Sequence, residues 1–440
     1  MPLGFGRAIL TKGAAASPPA AGTDFTLYET TLATSFKPRG YTSVKFAGLD
    51  SNGAPVFVFT IIDTLSPRKQ HIKAGRLNTT NGTWTFGSTY QINTDSTEKD
   101  LDVASQCYGT EYKNSGSLPN TVVQTTGTAT DNAGCFEVVV KAPLSGVAYM
   151  YGIRINNNTL TPTLQAGPNT AVSATGETST RLIEMFTDNW ALAGYSSGYG
   201  ATFWKKEWNG GTTLADRGGA IAISSQGTPD SNVLANRNAM ALITTSGQGN
   251  IFTTKNTSSS GQEFFLAQCG IDTTGAWSGG YGSPMYNFTY NLVSPSIARL
   301  NTKKVLHGGN GNGTSNFYYI CSDWTYPNTN STSSPTNITA SNSSEYSTTN
   351  SDGCMLIDRG DTTDKAFLAR LTNSSNKLEM IPLNVSGTTV TAGTANEVTT
   401  TTSYSNFGRH GGIAQYHPWY VISTWDGTDA KLLTLKYTGS

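Results

Sequence analysis

The chain has 440 residues, of which 13% are charged and 10% aromatic, and its 29 basic and 29 acidic residues give no net charge at pH 7. This balance argues against nucleic-acid binding and against electrostatic attachment to a membrane, because both need clustered cations. The sequence contains no run of about 18 apolar residues, so we predict no membrane insertion.

The first 23 residues are an apolar stretch followed by a linker. Arg7 interrupts the stretch MPLGFGRAIL, which therefore lacks the ~7–15 apolar residues of a signal peptide, and we predict no export by that route. The linker KGAAASPPAAGT has the small residues and prolines of a spacer. A spacer implies a partner at its far end, so we predict an extended docking peptide and linker over residues 1–23. The alternative is that the peptide folds back on its own domain. The predicted docking residues are Leu3, Phe5, Arg7, Ile9 and Leu10.

From residue 24 onwards one pattern recurs, a run of apolar or aromatic residues that ends in Asn or Asp and leads into a turn. Asn, Asp and Gly tolerate the positive φ of tight turns, so these junctions predict β-hairpins. All intervals after the first are roughly 50–60 residues, and each interval holds about four short strands. The runs end at Asn78, Asn156, Asn209, Asp272, Asp323, Asn373 and Asp426.

A four-stranded sheet cannot bury both of its faces by itself, whereas radial stacking of such sheets does bury them. We therefore predict an all-β fold, a β-propeller of about seven four-stranded blades over residues 24–440. The segment DFTLYETTLAT is predicted to complete the sheet of the C-terminal KLLTLKY and so to close the ring. A pair of β-sandwiches or a β-helix would fit the composition but not the regular spacing. The long interval before Asn156 leaves room for an eighth blade.

Few residues have the types and spacing that catalysis or metal binding needs. The five cysteines are scattered, which predicts buried free thiols, and a Cys107–Cys135 disulfide stays open. The four histidines form no zinc motif, so His71 and His417 are predicted at the surface or as caps at strand ends. We predict no catalytic residues, no metal and no cofactor.

Two acidic segments, TDSTEKDLD and LIDRGDTTDK, are interpreted first as solvated turns. A Ca²⁺ site is the second interpretation and a catalytic carboxylate pair the third. The Arg359-Gly360-Asp361 tripeptide is interpreted as a polar turn. The segments TTNGTW and DTTGAW resemble sialidase boxes, but their spacing is wrong, which counts against a sialidase.

Aromatic residues are the best candidates for surface contacts, because their rings stack on sugars and are enriched at protein interfaces. Most of the 20 tyrosines and eight tryptophans are expected to pack between blades. A loop aromatic such as Trp324 is a better candidate for contact than a strand residue. The predicted contact residues are Trp324, Tyr326, Trp277 and Tyr281.

The N-terminal stretch MPLGFGRAILTK resembles the start of virion proteins from tailed phages of marine bacteria. The resemblance covers about twelve of the 440 residues and implies a common attachment device in front of divergent β-rich bodies. The Thr, Ser, Asn and Gly bias is similar to that of tail fibres, tail-tip proteins and head-decoration proteins. No coiled-coil shaft or collagen-like repeat is present, which departs from long fibres.

These observations predict a non-enzymatic structural protein of the virion, assembled in the host cytoplasm. Its partners would be other virion proteins through the N-terminal peptide, and a host receptor or glycan through the propeller. The alternative is a carbohydrate-binding or glycoside-hydrolysing propeller, and the latter would need two carboxylates ~5–10 Å apart. A cytosolic scaffold unrelated to viruses is a third hypothesis.

Overall fold

A computed structural model provides the structure of the protein, and β-strands are the regular elements of its described residues. The described residues are 24–38, 43–65, 69–92, 107–110, 134–141, 149–170, 181–187, 190–197, 200–207, 212, 215–216, 221–224, 240–245, 248–256, 263–272, 277–287, 292–300, 304–311, 316–324, 338–340, 344–347, 354–361, 364–372, 377–404 and 412–439. Side-chain packing is described mainly for the first and last thirds of the chain.

The described strands form seven antiparallel sheets, which we number I to VI in chain order, followed by a closing sheet. Sheet I contains β2 (Phe36–Pro38), β3 (Val44–Leu49), β4 (Pro55–Asp63), β5 (Gln70–Leu77), β6 (Trp84–Phe86) and β7 (Tyr90–Gln91). Sheet II contains β8 (Cys107–Thr110), β9 (Gly134–Lys141), β10 (Tyr149–Asn156) and β11 (Thr161–Thr170). Sheet III contains β12 (Arg181–Thr187), β13 (Trp190–Ser197), β14 (Gly200–Glu207), β15 (Ala215–Asp216) and β16 (Ile221–Ser224).

The second half of the chain supplies the other four sheets. Sheet IV contains β17 (Met240–Thr245), β18 (Gln248–Asn256), β19 (Glu263–Asp272) and β20 (Trp277–Asn287). Sheet V contains β21 (Leu292–Arg299), β22 (Lys304–Gly311), β23 (Asn316–Trp324), β24 (Ile338–Ala340) and β25 (Ser344–Ser347). Sheet VI contains β26 (Cys354–Asp358), β27 (Lys365–Thr372), β28 (Lys377–Ser386), β29 (Thr389–Ala392) and β30 (Asn396–Thr399). The closing sheet contains β1 (Phe25–Ala33), β31 (Gly412–Tyr416), β32 (Trp419–Trp425) and β33 (Ala430–Tyr437).

One strand at the inner edge of each sheet contacts its counterpart in the next sheet. The contacts run in the order β31, β3, β8, β12, β17, β21 and β26, and β26 contacts β31 again. A closed cycle of inner strands, each followed by antiparallel strands farther out, defines a β-propeller. The prediction of an all-β propeller is therefore confirmed.

The ring is closed by strands from both ends of the described chain. β1 pairs with β33 in antiparallel register, from Phe25 opposite Tyr437 to Thr31 opposite Lys431. β1 is thus the outermost strand of a sheet whose other three strands come from the C-terminal region. The predicted closure by DFTLYETTLAT is confirmed, and it covers an edge of β33 that would otherwise be free to pair with another chain.

Strands in the middle of a sheet, such as β4 and β32, are buried on both faces, because each sheet packs between two others. In β4, Phe57, Phe59 and Ile61 face the closing sheet, while Val56 and Val58 face sheet II. This arrangement explains why the sequence shows continuous apolar runs in place of alternating apolar and polar residues. The seven recurring runs fall one in each sheet; five form the third strand, whereas those ending at Asn373 and Asp426 form the second.

The prediction of buried free thiols is confirmed for two cysteines, and the disulfide left open by the sequence is excluded. In sheet II, Cys107 lies opposite Lys141, and Cys135 is six residues farther along β9. At ~3.3 Å per residue the two Cα atoms are about 20 Å apart along the strands, whereas a disulfide needs ~4.4–6.8 Å. The Cys107–Cys135 bridge is therefore excluded. Cys321 and Cys354 are buried free thiols, as predicted.

Candidate functional site

The candidate site is the edge of the ring at Asp24, where the chain enters the propeller. The backbone N–H and the hydroxyl of Thr438 both donate to the carbonyl of Asp24, at 2.7 and 3.1 Å. The N–H of Asp24 donates to Asn396 Oδ1 of sheet VI at 3.4 Å. The point at which residues 1–23 join the ring is therefore held by the closing sheet and by its neighbour.

Phe25, the first residue of β1, anchors this point in an aromatic cluster. It is 1% exposed, and its ring centroid lies 5.3 Å from that of Phe367 and 5.1 Å from that of Tyr437. Tyr420 lies 6.0 Å from Phe25 in an edge-on arrangement. Edge-to-face aromatic pairs contribute ~0.5–1.5 kcal/mol beyond the area that they bury, so β1 is firmly held in the described ring.

A turn of sheet VI completes the cluster on the side of the ring axis. The carbonyl of Arg359 accepts hydrogen bonds from the Tyr420 hydroxyl at 2.6 Å and from His417 Nδ1 at 3.1 Å. The Arg359 guanidinium lies 5.2 Å from the centre of the Tyr437 ring. Burial, followed by the charge of Asp358, raises the pKa of the Tyr420 hydroxyl well above its usual range, so this hydroxyl stays a hydrogen-bond donor.

A polar cluster fixes the middle of β1 against the segment that leads into β31. The Glu29 carboxylate accepts hydrogen bonds from the N–H and the hydroxyl of Thr401 at 2.7 and 2.8 Å. The Tyr404 hydroxyl also donates to Glu29, and burial together with this bond raises the pKa of Tyr404. At the far end of β1, the N–H of Ser35 donates to Asp429 Oδ1 at 2.9 Å.

The turns that connect first to second strands and third to fourth strands lie at the same end of the ring as Asp24, because the strands of each sheet alternate in direction. We call this end the Asp24 face, and its described turns are residues 50–54, 78–83, 156–160, 358–361, 387–388 and 417–418. The exposed side chains of these turns are mainly hydroxyls and amides. They include Ser51, Asn52, Asn78, Thr79, Thr80, Asn81, Thr83 and Thr159, together with the imidazole of His417.

Charged groups behind these turns are paired within the fold. Asp50 forms an ion pair with Arg76, with 2.7 Å between Asp50 Oδ2 and Arg76 Nε, and Arg76 Nη2 donates to the carbonyls of Asn157 and Asn158. Lys304 Nζ lies 2.5 Å from Asp364 Oδ2. Apart from the exposed Asp24 itself, the described turns of the Asp24 face therefore present mainly uncharged hydrogen-bonding groups in front of ion pairs.

The acidic segment 358–364 consists of separately engaged carboxylates. Asp361 pairs with Arg359 at 2.5 Å, and Asp358 accepts the N–H of Gly360 at 2.6 Å. The arginine and the aspartate of the Arg-Gly-Asp turn are thus paired with each other. In the described ranges, no three His, Cys, Asp or Glu side chains converge on a possible metal position. The other acidic segment, residues 94–102, lies outside the described residues.

The prediction that His71 and His417 lie at the surface or as caps is confirmed for one of them and wrong for the other. His417 is exposed, as predicted. His71 is not a surface residue, because it lies inside β5, is 8% exposed, and has its Nε2 3.2 Å from Asp63 Oδ2. Its ring packs edge-on against Phe36 of β2, so the burial of His71 comes from residues of sheet I itself.

The predicted contact residues are placed only in part. Trp324 is not in a loop, because it is the last residue of β23, where it pairs with Ile338. Trp277 begins β20 and Tyr281 lies within it. Tyr326 lies outside the described residues, as do the predicted docking residues Leu3, Phe5, Arg7, Ile9 and Leu10. Packing between blades is confirmed for Trp84 and Trp419, which join the core between sheet I and the closing sheet.

The sequence analysis missed Glu29 and Thr401 as parts of the site. The two residues are 372 positions apart, so no local pattern could associate them. The local sequence carries no signal for this contact, because Glu29 lies in a strand that is mostly only partly buried, where a carboxylate requires no particular partner.

Comparisons with known proteins identify no family and find only distant structural likenesses. No protein-family model matches the chain, and no curated protein matches it by sequence. A mutant of the NanB sialidase from Streptococcus pneumoniae matches in structure with a TM-score of 0.42 and 10% identity, over 90% of this chain and 68% of that one. The polysaccharide lyase Uly1 matches with a TM-score of 0.43 and 6% identity, over 91% and 90% of the two chains. The WD40 domain of Toxoplasma gondii coronin matches with a TM-score of 0.43 and 7% identity, over 95% and 88%.

The described part of the chain contains no helix with the length and apolar character of a membrane span.

Proposed function

We propose that the protein is a structural component of a tailed-phage virion, with the seven sheets as its seven blades. Residues 1–23 would serve as docking peptide and linker, and residues 24–440 as the propeller. The observation that carries the proposal is the position of Asp24. The closing sheet is completed by β1 from Phe25 onwards, so the described ring has its closing strand without any contribution from residues 1–23.

The apolar N-terminal residues would then be available to another virion protein. Burial of the four apolar side chains would contribute ~6–12 kcal/mol before the cost of ordering the peptide, at ~1.5–3 kcal/mol each. These side chains are Leu3, Phe5, Ile9 and Leu10. Such a peptide can lie in a groove or add a strand to a sheet of its partner. The resemblance of MPLGFGRAILTK to virion proteins fits this role.

Deletion of residues 1–12 tests the proposal. Virions are produced from a phage genome that carries the shortened gene, and the protein is quantified in purified particles by mass spectrometry. We expect an unchanged melting temperature of the isolated protein and its loss from particles. A Leu3→Asp/Phe5→Asp variant should behave in the same way, and a Thr11→Ser variant is the control. Normal incorporation of the shortened protein would refute the proposal.

The second candidate is a carbohydrate-binding or glycoside-hydrolysing propeller. The observation that favours it is the hydroxyl- and amide-rich surface of the Asp24 face, since such groups hydrogen-bond to sugars. The names of the structural neighbours, which include a sialidase and a polysaccharide lyase, fit this candidate better than the first. Their TM-scores are below 0.5, so the likeness extends to no site.

Calorimetric titration with sialylated and neutral oligosaccharides, followed by mass spectrometry of the sugars, distinguishes the two candidates. Shortened sugars would establish hydrolysis, and saturable heat without shortened sugars would establish binding. A Trp324→Ala variant with weaker binding and an unchanged melting temperature would assign Trp324 to the contact. Absence of both heat and hydrolysis would eliminate this candidate for the sugars used.

A further inference from the structure

We infer that the Asp24 face lies against the virion and that the opposite face of the ring points outward. The inference rests on the proposed function, because it assumes that residues 1–10 are bound by a virion protein. The Asp24 face is then the surface of the propeller that takes part in the attachment made by the N-terminal peptide. Its partner is therefore the virion component that holds the peptide.

The first argument is the reach of the linker. Asp24 is fixed at the Asp24 face by Thr438 and Asn396. A flexible chain of the length of residues 11–23 has a root-mean-square span of about 20 Å. β1 has nine residues, so the ring is ~30 Å from face to face at this strand. A partner that holds residues 1–10 is consequently reached most easily on the side of Asp24.

The second argument is the chemistry of the face. Besides the exposed Asp24, its exposed turn residues are mainly uncharged hydrogen-bonding groups such as Asn52 and Thr80, and the ion pairs Arg76–Asp50 and Lys304–Asp364 lie behind them. Docking of such a surface removes few unpaired charges from water, which is the largest cost of burying polar protein surface. The complementary partner surface would therefore also be uncharged and rich in hydrogen-bonding groups.

The inference has a consequence for two predicted contact residues. β23 is the third strand of sheet V and β20 the fourth strand of sheet IV. The end of β23 at Trp324 and the start of β20 at Trp277 therefore lie at the Asp24 end of the ring. If the Asp24 face lies against the virion, Trp324 and Trp277 face the virion. Contact with the host would require residues on the opposite face of the ring.

Cysteine labelling of assembled virions tests the inference. Asn52→Cys and Thr80→Cys place thiols on the Asp24 face, at exposed positions of two turns. Leu65→Cys and Thr428→Cys are the matched variants on the opposite face, where Leu65 is 76% exposed. Each variant is treated with a maleimide-linked polyethylene glycol, both as purified protein and within intact virions. The parent protein, in which Cys321 and Cys354 are buried, provides the background.

We expect the thiols on the Asp24 face to react about tenfold more slowly in virions than in the purified protein, because a stable interface excludes solvent from its centre. The thiols on the opposite face should react at the same rate in both. If all four thiols react in virions as fast as in the purified protein, or if only the thiols on the opposite face are protected, the inference is overturned and the proposed function stays intact. Absence of the parent protein from the virion would refute both.

Discussion

Replacement of Phe25 by alanine tests whether β1 is the strand that closes the ring. Phe25 is almost fully buried between the closing sheet and sheet VI, against the rings of Phe367, Tyr420 and Tyr437. If β1 pairs as described, the side chain cannot be removed without opening a cavity between two blades. If the ring were closed in another way, β1 would be a peripheral segment and its first residue would contribute little.

The expected loss in the free energy of unfolding is ~3–5 kcal/mol, the range for Phe→Ala in protein cores. Part of this loss comes from the aromatic pairs with Phe367 and Tyr437, at ~0.5–1.5 kcal/mol each beyond buried area. Thr26→Ala is the matched control, because Thr26 is the next residue of the same strand and is only partly buried. It should cost less than about 1 kcal/mol.

Urea unfolding followed by tryptophan fluorescence measures the effect as a shift in midpoint. Phe25→Ala should unfold at a clearly lower urea concentration than Thr26→Ala at a similar slope. If the two variants have the same midpoint, Phe25 is not buried between the closing sheet and sheet VI. The closure of the ring by β1 would then be wrong, and with it the placement of Asp24 on which the proposed attachment depends.

Three further predictions concern turns and hydrogen bonds near the same sheets. Gly82→Ala should cost ~2–4 kcal/mol in urea unfolding, because Gly82 has φ +72° and a Cβ there would lie 2.6 Å from the Tyr28 ring. Gly53→Ala, at φ +78° with open space around it, should cost only ~1–2 kcal/mol, and equal costs would contradict the described contact. Tyr420→Phe should cost ~1–2 kcal/mol at pH 8, because the buried Tyr420 loses the hydrogen bond from its hydroxyl to the carbonyl of Arg359, and an unchanged midpoint would argue against that bond. The pKa of Tyr420 is raised in the folded protein, so its contribution to the free energy of unfolding is complete below the unfolded pKa near 10 and is lost as the pH rises towards the folded pKa. Above pH ~10 the free energy of unfolding of the wild-type protein should therefore fall by up to ~1.4 kcal/mol per pH unit more than that of Tyr420→Phe. Parallel pH curves for the two proteins would refute this.

The location of strands and turns could be predicted from the sequence, because both depend on neighbouring residues. Apolar runs such as that of β4 end at residues that tolerate tight turns, and one such run occurs in every sheet. The position of a run within its sheet could not be predicted, because a strand buried on both faces has the same composition whether it is second or third. The runs ending at Asn373 and Asp426 are for this reason second strands among third strands.

The candidate site was much less predictable than the fold. Trp324 follows an apolar run and precedes a polar stretch, so the sequence alone suggested a loop, whereas backbone pairing with Ile338 extends the strand. His71 follows the same reasoning, since a single polar residue near a strand end looks exposed until Phe36 and Asp63 of neighbouring strands cover it. Tertiary packing overrides local polarity in both cases.

By itself the sequence determined the all-β class, the repeated sheet and the pairing of the first strand with the last, since turn chemistry and buried runs are properties of short segments. The tertiary structure alone decided that Glu29 accepts hydrogen bonds from Thr401 and Tyr404, which follow it by 372 and 375 residues. It also decided on which face Asp24 and the turn at Arg359 meet. These juxtapositions arise only when the ring closes, because closure brings together segments whose local sequences carry no information about each other.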